Sequence, residues 1–510
     1  MYQFPNLLES KAKKPLTFTV YHGNFVHTPV LGELQVLLGA RIAVDKSGVI
    51  VYIKTSPLKT SPIQEAMALN PSLPRDEIRC IDTMDDTSKV SKFWFPGFID
   101  THIHAPQFPN NGVFGSSTTV DWLLKYTFPM EKLLGADLNK CFEVYDKVVK
   151  RTLANGTTCC AYYATIDVDA TNLLADCCYS NGQRAYIGRS CMDCAHKDYT
   201  DESAEEGVKA TYKVMGHISN RDFCYDLIKP IITPRNANRC SGDYMKRLGL
   251  IAKVGNLPLQ YHMSETGPEA AKILEQFPER KSYADIYDYH DLLTSSAILG
   301  HCIYISQEEL DLINERKAAI SHCPISNSCL ISGECKVRWL LDNGTKVGLG
   351  TDISGGYSAS ILATARHAHM VSRHVAMKTK ELKDTLSVNE VLFLGTQGGA
   401  QAMGLQDMIG SFDVGKKWEC QLIDLEVENS PVDLFDFLTP KLEKSSESDP
   451  QWMSTFQDMI DRWVFNGDDR NVRQVYVNGR CVIDKDKTYE EVMPEEEGVT
   501  PKSSVTEPLE

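Results

Sequence analysis

The amino-acid sequence predicts an α/β protein: a (β/α)8 TIM barrel inserted into a small β-sandwich domain formed by both chain ends. Three observations carry that expectation. From Phe93 onward, short apolar runs alternate with longer amphipathic stretches, the texture of repeated βαβ units. Eight such runs fit into about 260 residues, the size of one barrel. On either side, residues 18–53 and 421–483 show strand-like alternation bounded by Gly, Pro, Asn and Asp turn signals.

In chain order, the first fifteen or so residues are polar and expected to be loose. Segments 18–21, 34–37 and 49–52 read as antiparallel strands, and the Ser-, Pro-, Asp- and Lys-rich stretch 54–90 as a long surface excursion. The barrel strands are expected to end near His102, Tyr163, Gly188, Thr233, His262, His301, His322 and Asp352. Between them lie helical patterns such as 138–154 and 310–317. Segment 388–404 reads as a helix stopped by glycine and 409–416 as a turn-rich link. Strands follow at 421–424 and 472–483, the second folded at Asn478-Gly479. The expected partition is 16–92 for the first part of the β-domain, 93–405 for the barrel and 406–484 for the second part. A disordered insert at 441–451 and a disordered acidic tail at 485–510 complete it. No repeat of solenoid period is present.

Composition narrows the function. With 42% apolar and 24% charged residues, the 510-residue chain can bury a large core, which excludes global disorder. A net charge of −15 disfavours nucleic-acid backbones and anionic membranes as partners. Sixteen cysteines are too sparse for a disulfide scaffold and read as reduced thiols, with Cys159-Cys160 and Cys177-Cys178 at buried strand and helix positions. Met1-Tyr2-Gln3-Phe4-Pro5 lacks a secretory pattern, and no apolar run approaches the roughly 18 residues a bilayer demands. The expected location is the cytoplasm.

The strongest chemical signal is Phe95-Pro96-Gly97-Phe98-Ile99-Asp100-Thr101-His102-Ile103-His104. Strand side chains alternate with period two, so His102 and His104 face the same way and can grip one ion; the plainer reading is two polar residues on an exposed face. His262, His301 and Asp352 each close an apolar run as well. One such residue is more often a cap or core group, but all of them at strand ends point to a site. Three imidazoles and one carboxylate suit zinc, and a zinc site with an open position brings the pKa of water towards 7. Asp352 is placed to bind the ion and take a proton from that water. Glu265, three residues after His262, is left as general acid/base; its plainer role is a helix first-turn acid.

Other motifs are excluded. No histidine begins H-x-E or H-E-x-x-H, so the zinc signature of the cytidine deaminases is absent. Cys191-Met192-Asp193-Cys194 has no second pair, and no P-loop or nucleophile elbow occurs. Gly348-Leu349-Gly350 lacks the third glycine of a dinucleotide fingerprint and reads as relief of crowding near Asp352.

Together, Pro96 to His104, His262 with Glu265, Leu299-Gly300-His301, Ser321-His322-Cys323-Pro324-Ile325-Ser326-Asn327 and Gly348-Leu349-Gly350-Thr351-Asp352 resemble the amidohydrolase superfamily. Asp121-Trp122-Leu123, Tyr126-Thr127-Phe128-Pro129, the stretch from His322 to Gly333 and Phe465-Asn466-Gly467-Asp468-Asp469-Arg470-Asn471 narrow the likeness to the guanine deaminase family of the fungal type. It extends from about Val20 to Val482. The resemblance implies a metallo-dependent barrel that hydrolyses guanine to xanthine and ammonia, with water as co-substrate, and that forms a homodimer. It implies one Zn2+ per subunit on His102, His104, His262 and Asp352, and a catalytic set of Glu265, Asp352 and His301. The purine would lie against Gln107, Arg235, Asn236, His262, Glu265 and Asp352. The bridging lysine of two-metal members is missing from Ile232-Thr233-Pro234-Arg235, where Lys229 lies at the strand start, so the implied site is mononuclear.

Two departures stand out. The family carries an aromatic residue after Arg235 where this chain has Asn236, and a lost stacking ring is worth about 1–3 kcal/mol per base. Trp418-Glu419-Cys420 replaces a more usual Ala-Asp-like run, away from the chemistry. The first departure keeps a second reading in play, a sister hydrolase acting on another purine or a triazine. A third is a non-catalytic scaffold, against which the complete ligand set argues.

Overall fold

The computed structural model describes residues 17–55, 60–84, 90–115, 117–194, 198–441, 449–487 and 492. The chain begins with a long antiparallel hairpin of β1 (Phe18–Val30) and β2 (Glu33–Val44), turned at Gly32 with φ +81°, and β3 (Ile50–Lys54) pairs antiparallel with β2. The stretch expected as a surface excursion is partly built. A helix, Pro62–Leu69, starts at a reciprocal Ser61–Gln64 capping box, and β4 (Ile78–Asp82) pairs parallel with β1. The helix is anchored by buried Glu65, which receives Lys54 at 2.6 Å and Arg41 at 3.1 Å. β5 (Lys92–Pro96) then buries Phe93, Trp94 and Phe95.

Ten short strands follow: β6 (Phe98–His104), β7 (Thr157–Tyr163), β8 (Arg184–Gly188), β9 (Ser190–Cys191), β10 (Ile228–Pro230), β11 (Thr233–Pro234), β12 (Leu259–Met263), β13 (Ala297–His301), β14 (Ala319–His322) and β15 (Lys346–Leu349). All pair in parallel, in the orders β10-β8-β7-β6, β11-β9 and β12-β13-β14-β15. Gln260 N donates to Ile232 O, while Asp352 N donates to His102 O and His104 N to Ile353 O. These bonds tie the first ladder to the last through the segments that carry the histidines.

Strand ends at Tyr163, Gly188, His301 and His322 fall where the sequence puts them, and four readings need correction. β6 continues to His104, and β12 runs one residue past His262. The run read as ending at Thr233 splits into β10 and β11, because Pro230 and Pro234 have no N–H for a ladder. β15 stops at Leu349, so Asp352 stands beyond the strand at φ +48°. Among the helices, Leu138–Ala154 matches its reading, with Asp137 as cap. The 310–317 pattern is the helix Gln307–Glu315, moved forward by the Ser306–Glu309 capping box. The single helix read at 388–404 is two, Val388–Leu394 and Gln397–Met403, broken where Thr396 takes φ −130° and ψ −97°.

β16 (Cys420–Asp424) pairs antiparallel with β5 and with β17 (Val472–Val477). β18 (Arg480–Asp484) follows through the turn at Asn478 and Gly479, both at positive φ. Both chain ends therefore meet in one eight-stranded sheet, β18-β17-β16-β5-β1-β2-β3, with β4 beside β1. Its core holds Trp94, Trp418 and Tyr476, and Tyr21 stacks on Trp418 with centroids 4.3 Å apart. The helix Pro450–Asn466 went unread, although Asp449 caps it and Trp452, Phe456, Met459, Ile460, Trp463 and Val464 follow helical spacing. Residues 450 and 451 of the expected disordered insert belong to that helix, and Asp449 caps it. Residues 1–16, 442–448 and most of the expected tail lie outside the described residues.

All sixteen cysteines are free, and Cys159, Cys160, Cys177 and Cys178 are buried. Among the described residues no helix is long and apolar enough to cross a membrane. Glu419 is buried and pairs with Arg184 of β8 at 2.6 Å. Glu419→Ala strands a buried guanidinium and is expected to cost about 3–5 kcal/mol of stability, seen as a lower urea midpoint. An unchanged midpoint would show the pair to be energetically idle.

Candidate active site

His102 and His104 share one face of β6, and the face is fully buried. Close packing behind His102 depends on glycine. A Cβ on Gly300 would meet His102 Cε1 at 2.8 Å, and one on Gly350 would meet His102 Cβ at 2.7 Å. β13 and the segment after β15 can approach the ring only because these side chains are missing; the crowding expected at Asp352 lies, for Gly350, at Ser321, His102 and Cys323 instead. Asp100 braces the same region: its Oδ1 accepts His102 N and Thr351 N, and its Oδ2 accepts Thr351 Oγ1 at 2.5 Å.

Four side chains converge there. His104 Nε2 lies 3.1 Å from His262 Nε2, and Asp352 Oδ1 lies 3.4 Å from His102 Nε2 and 3.5 Å from His104 Nε2. Ligands on a tetrahedral zinc at about 2.0–2.1 Å stand about 3.3 Å apart, so these separations suit one such ion. The electrostatics agree. Burial pushes His102, His104 and His262 below the ordinary histidine range, which leaves neutral rings with lone pairs to give. Asp352 is held well below the carboxylate range: burial opposes this, but the hydrogen bond and charge of His102, with His301 and His104, outweigh it. His262 Nδ1 meets Arg235 O at 2.7 Å, a contact that assigns its proton there and turns Nε2 towards the cluster. His102 Nε2 and His301 Nε2, which face Asp352, are buried without a hydrogen-bond partner. The donor set and its unpaired nitrogens fit a divalent ion.

His301 stands beside this cluster with Nε2 at 3.8 Å from Asp352 Oδ2 and 4.0 Å from Glu265 Oε2, while its Nδ1 pairs with Asn327 Oδ1 at 2.9 Å. Burial works against its charged form, yet Glu265 and Asp352 raise its pKa. Glu265 lies just before the helix Gly267–Gln276 rather than in its first turn, and its side chain points inward. Ser332 Oγ donates to its Oε1 at 3.3 Å; burial, with the nearby charges of Asp352 and Glu269, lifts its pKa to about 7 against the pull of His301. His322, the other strand-end histidine, is a neutral core residue pushed down to about 3 by burial, and among the described residues it joins no metal-capable group.

Gln107 and Arg235 are both buried and meet at Glu131: Arg235 Nη1 and Nη2 reach its carboxylate at 2.7 and 3.0 Å, and Gln107 Nε2 at 3.1 Å. Asn236 follows in an extended conformation at φ −166°, with its Oδ1 buried and unpaired. The structure thus gathers His102, His104, His262, Asp352, His301 and Glu265 in one cluster, and Gln107, Arg235 and Asn236 border it through the chain itself. Sequence reasoning missed Glu131, Asn327, Asp100 and Tyr163, whose ring stacks on His104 at 4.5 Å. For Glu131 and Asn327 a signal existed, since both lie in or beside the motifs 126–129 and 321–327.

Residues 93–482 match the amidohydrolase family. The chain is 44% identical to a probable guanine deaminase of Schizosaccharomyces pombe over 91% of its own length and 84% of that protein. It is 38% identical to the guanine deaminase of Mus musculus, covering 92% of this chain and 98% of the other. Among solved structures, guanine deaminase from C. acetobutylicum, crystallised with bound guanine in its active site, superposes with a TM-score of 0.78 at 27% identity. That match covers 91% of this chain and 99% of the other.

Proposed function

The chain belongs to the amidohydrolase family, among the guanine deaminases, and from that premise we propose that it hydrolyses guanine to xanthine and ammonia. The observation that carries this reading is the buried convergence of His102, His104, His262 and Asp352 beside Glu265 and His301. We read the parallel strands as a closed (β/α)8 barrel over 93–405, with the two chain ends as its β-domain. We assign one zinc ion per subunit to His102, His104, His262 and Asp352. Bound zinc is a Lewis acid that makes water a nucleophile near neutral pH.

The chain's own residues supply the proton traffic. In the net reaction the bond from the ring carbon to the amino nitrogen breaks, and a carbon–oxygen bond to water forms. Glu265, raised by burial to about 7, takes one proton of the incoming water and gives it to the ring nitrogen beside that carbon. Asp352 takes the second and passes it to the departing amine, which leaves as ammonia. His301, oriented by Asn327, faces both carboxylates and holds the water or substrate between them. Gln107 and Arg235 grip the purine's edges, for which a rigid guanidinium fork is suited. His262, Asn236, Glu265 and Asp352 complete the substrate's surroundings.

Asn236 favours a second reading, a sister enzyme acting on another purine or a triazine. Ammonia release from guanine, adenine, 8-oxoguanine, cytosine and a triazine separates the two. Guanine is expected to be the preferred substrate, and no turnover of guanine by zinc-loaded protein would overturn the proposal. We also assign the chain to the cytoplasm as a homodimer, the latter checked by its mass in solution.

A further inference from the structure

We propose that Glu131 is a positioning residue that fixes how Gln107 and Arg235 face the purine. The inference rests on the substrate reading above and extends it to a residue that touches neither metal ligands nor substrate. Glu131 lies in the helix Phe128–Ala136 and is fully buried. A buried carboxylate is costly unless charge and hydrogen bonds satisfy it. Here three bonds from two partners do so: Arg235 through both terminal nitrogens, and Gln107 through Nε2.

The consequence is directional. An ionised carboxylate only accepts, so the Gln107 amide must turn its NH2 to Glu131. The other end of that amide agrees, since Gln107 Oε1 accepts Ser354 N at 3.3 Å. Without Glu131 only the 3.3 Å bond from Ser354 N holds the amide against a half turn, which would exchange donor and acceptor at the substrate edge. Arg235 is held in the same way: its fork is engaged end-on by Glu131, and its guanidinium lies 5.0 Å from the Phe128 ring, on the same helix. One carboxylate thereby sets two donor groups in register, which favours a carbonyl-bearing purine edge over an amino-bearing one.

The test compares Glu131→Gln with the wild-type holoenzyme, using guanine and 2,6-diaminopurine. Expected are wild-type zinc content, kcat within about fivefold, a KM for guanine at least about tenfold higher, and a preference for guanine over 2,6-diaminopurine reduced at least about tenfold. An unchanged KM and preference in folded, zinc-loaded variant would overturn the proposal, as would a fall in zinc and kcat with KM unaltered. If Glu131→Gln does not fold, Glu131→Asp keeps the charge but is one methylene short of holding both partners, and the same criteria decide. Wild-type turnover of guanine tests the substrate reading separately, because the Glu131 result is a ratio between two proteins.

Discussion

Replacing His262 by alanine is expected to abolish zinc binding and ammonia release together. The substitution deletes an Nε2 that stands 3.1 Å from His104 Nε2, and with it the ring whose Nδ1 is fastened to Arg235 O. The remaining groups, His102, His104 and Asp352, can no longer complete a four-ligand set. Losing a Lewis acid that supplies several kcal/mol is expected to lower turnover by about 10⁴ or more. Zinc measured per chain by atomic absorption, alongside ammonia release from guanine, checks both halves. Full turnover by metal-free His262→Ala protein would refute the ligand assignment. Chelation of the wild type should produce the same loss, and added zinc should reverse it.

Glu265→Gln separates the ion from the proton transfer. The amide keeps the shape and the Ser332 contact but cannot carry a proton back and forth, so zinc content should stay intact while kcat falls by about 10²–10⁴. A variant that also lost its zinc would show Glu265 to be structural. The pH profile gives a second readout. Glu265 begins the cycle as a carboxylate, so kcat/KM declines as pH falls through its pKa. Burial puts that value at about 7, and a cation on the neighbouring histidines draws it back towards 4.5. The acid limb therefore lies between those values, and Glu265→Gln should lack it.

Much of this site was legible because its parts sit where a local pattern ends. His102 and His104 show the strand period, and His301 and His322 close short apolar runs. Yet that same rule marked His322, which is a neutral core group, and placed Asp352 on a strand, whereas β15 has already ended at Leu349. Glu131 had only its place beside the 126–129 motif to mark it: its partners are 24 and 104 residues away, and nothing in its own helix shows that the carboxylate is buried. In the fold, the helix Pro450–Asn466 had every local signal and was masked by the charged stretch before it. The split of 388–404 at Thr396 had a local signal in Gly395, Gly398 and Gly399 that the reading passed over, and Thr396 Oγ1 also lies 3.3 Å from Thr28 Oγ1 of β1.

The sheet shared by the two chain ends has a cost in time. β5 leaves the ribosome with Phe93, Trp94 and Phe95 and then waits for β16, more than three hundred residues downstream. At about 5–20 residues per second, that is roughly 16–65 s during which an aromatic strand edge stands uncovered in the nascent chain. A circular permutant that begins at β16 would shorten the wait.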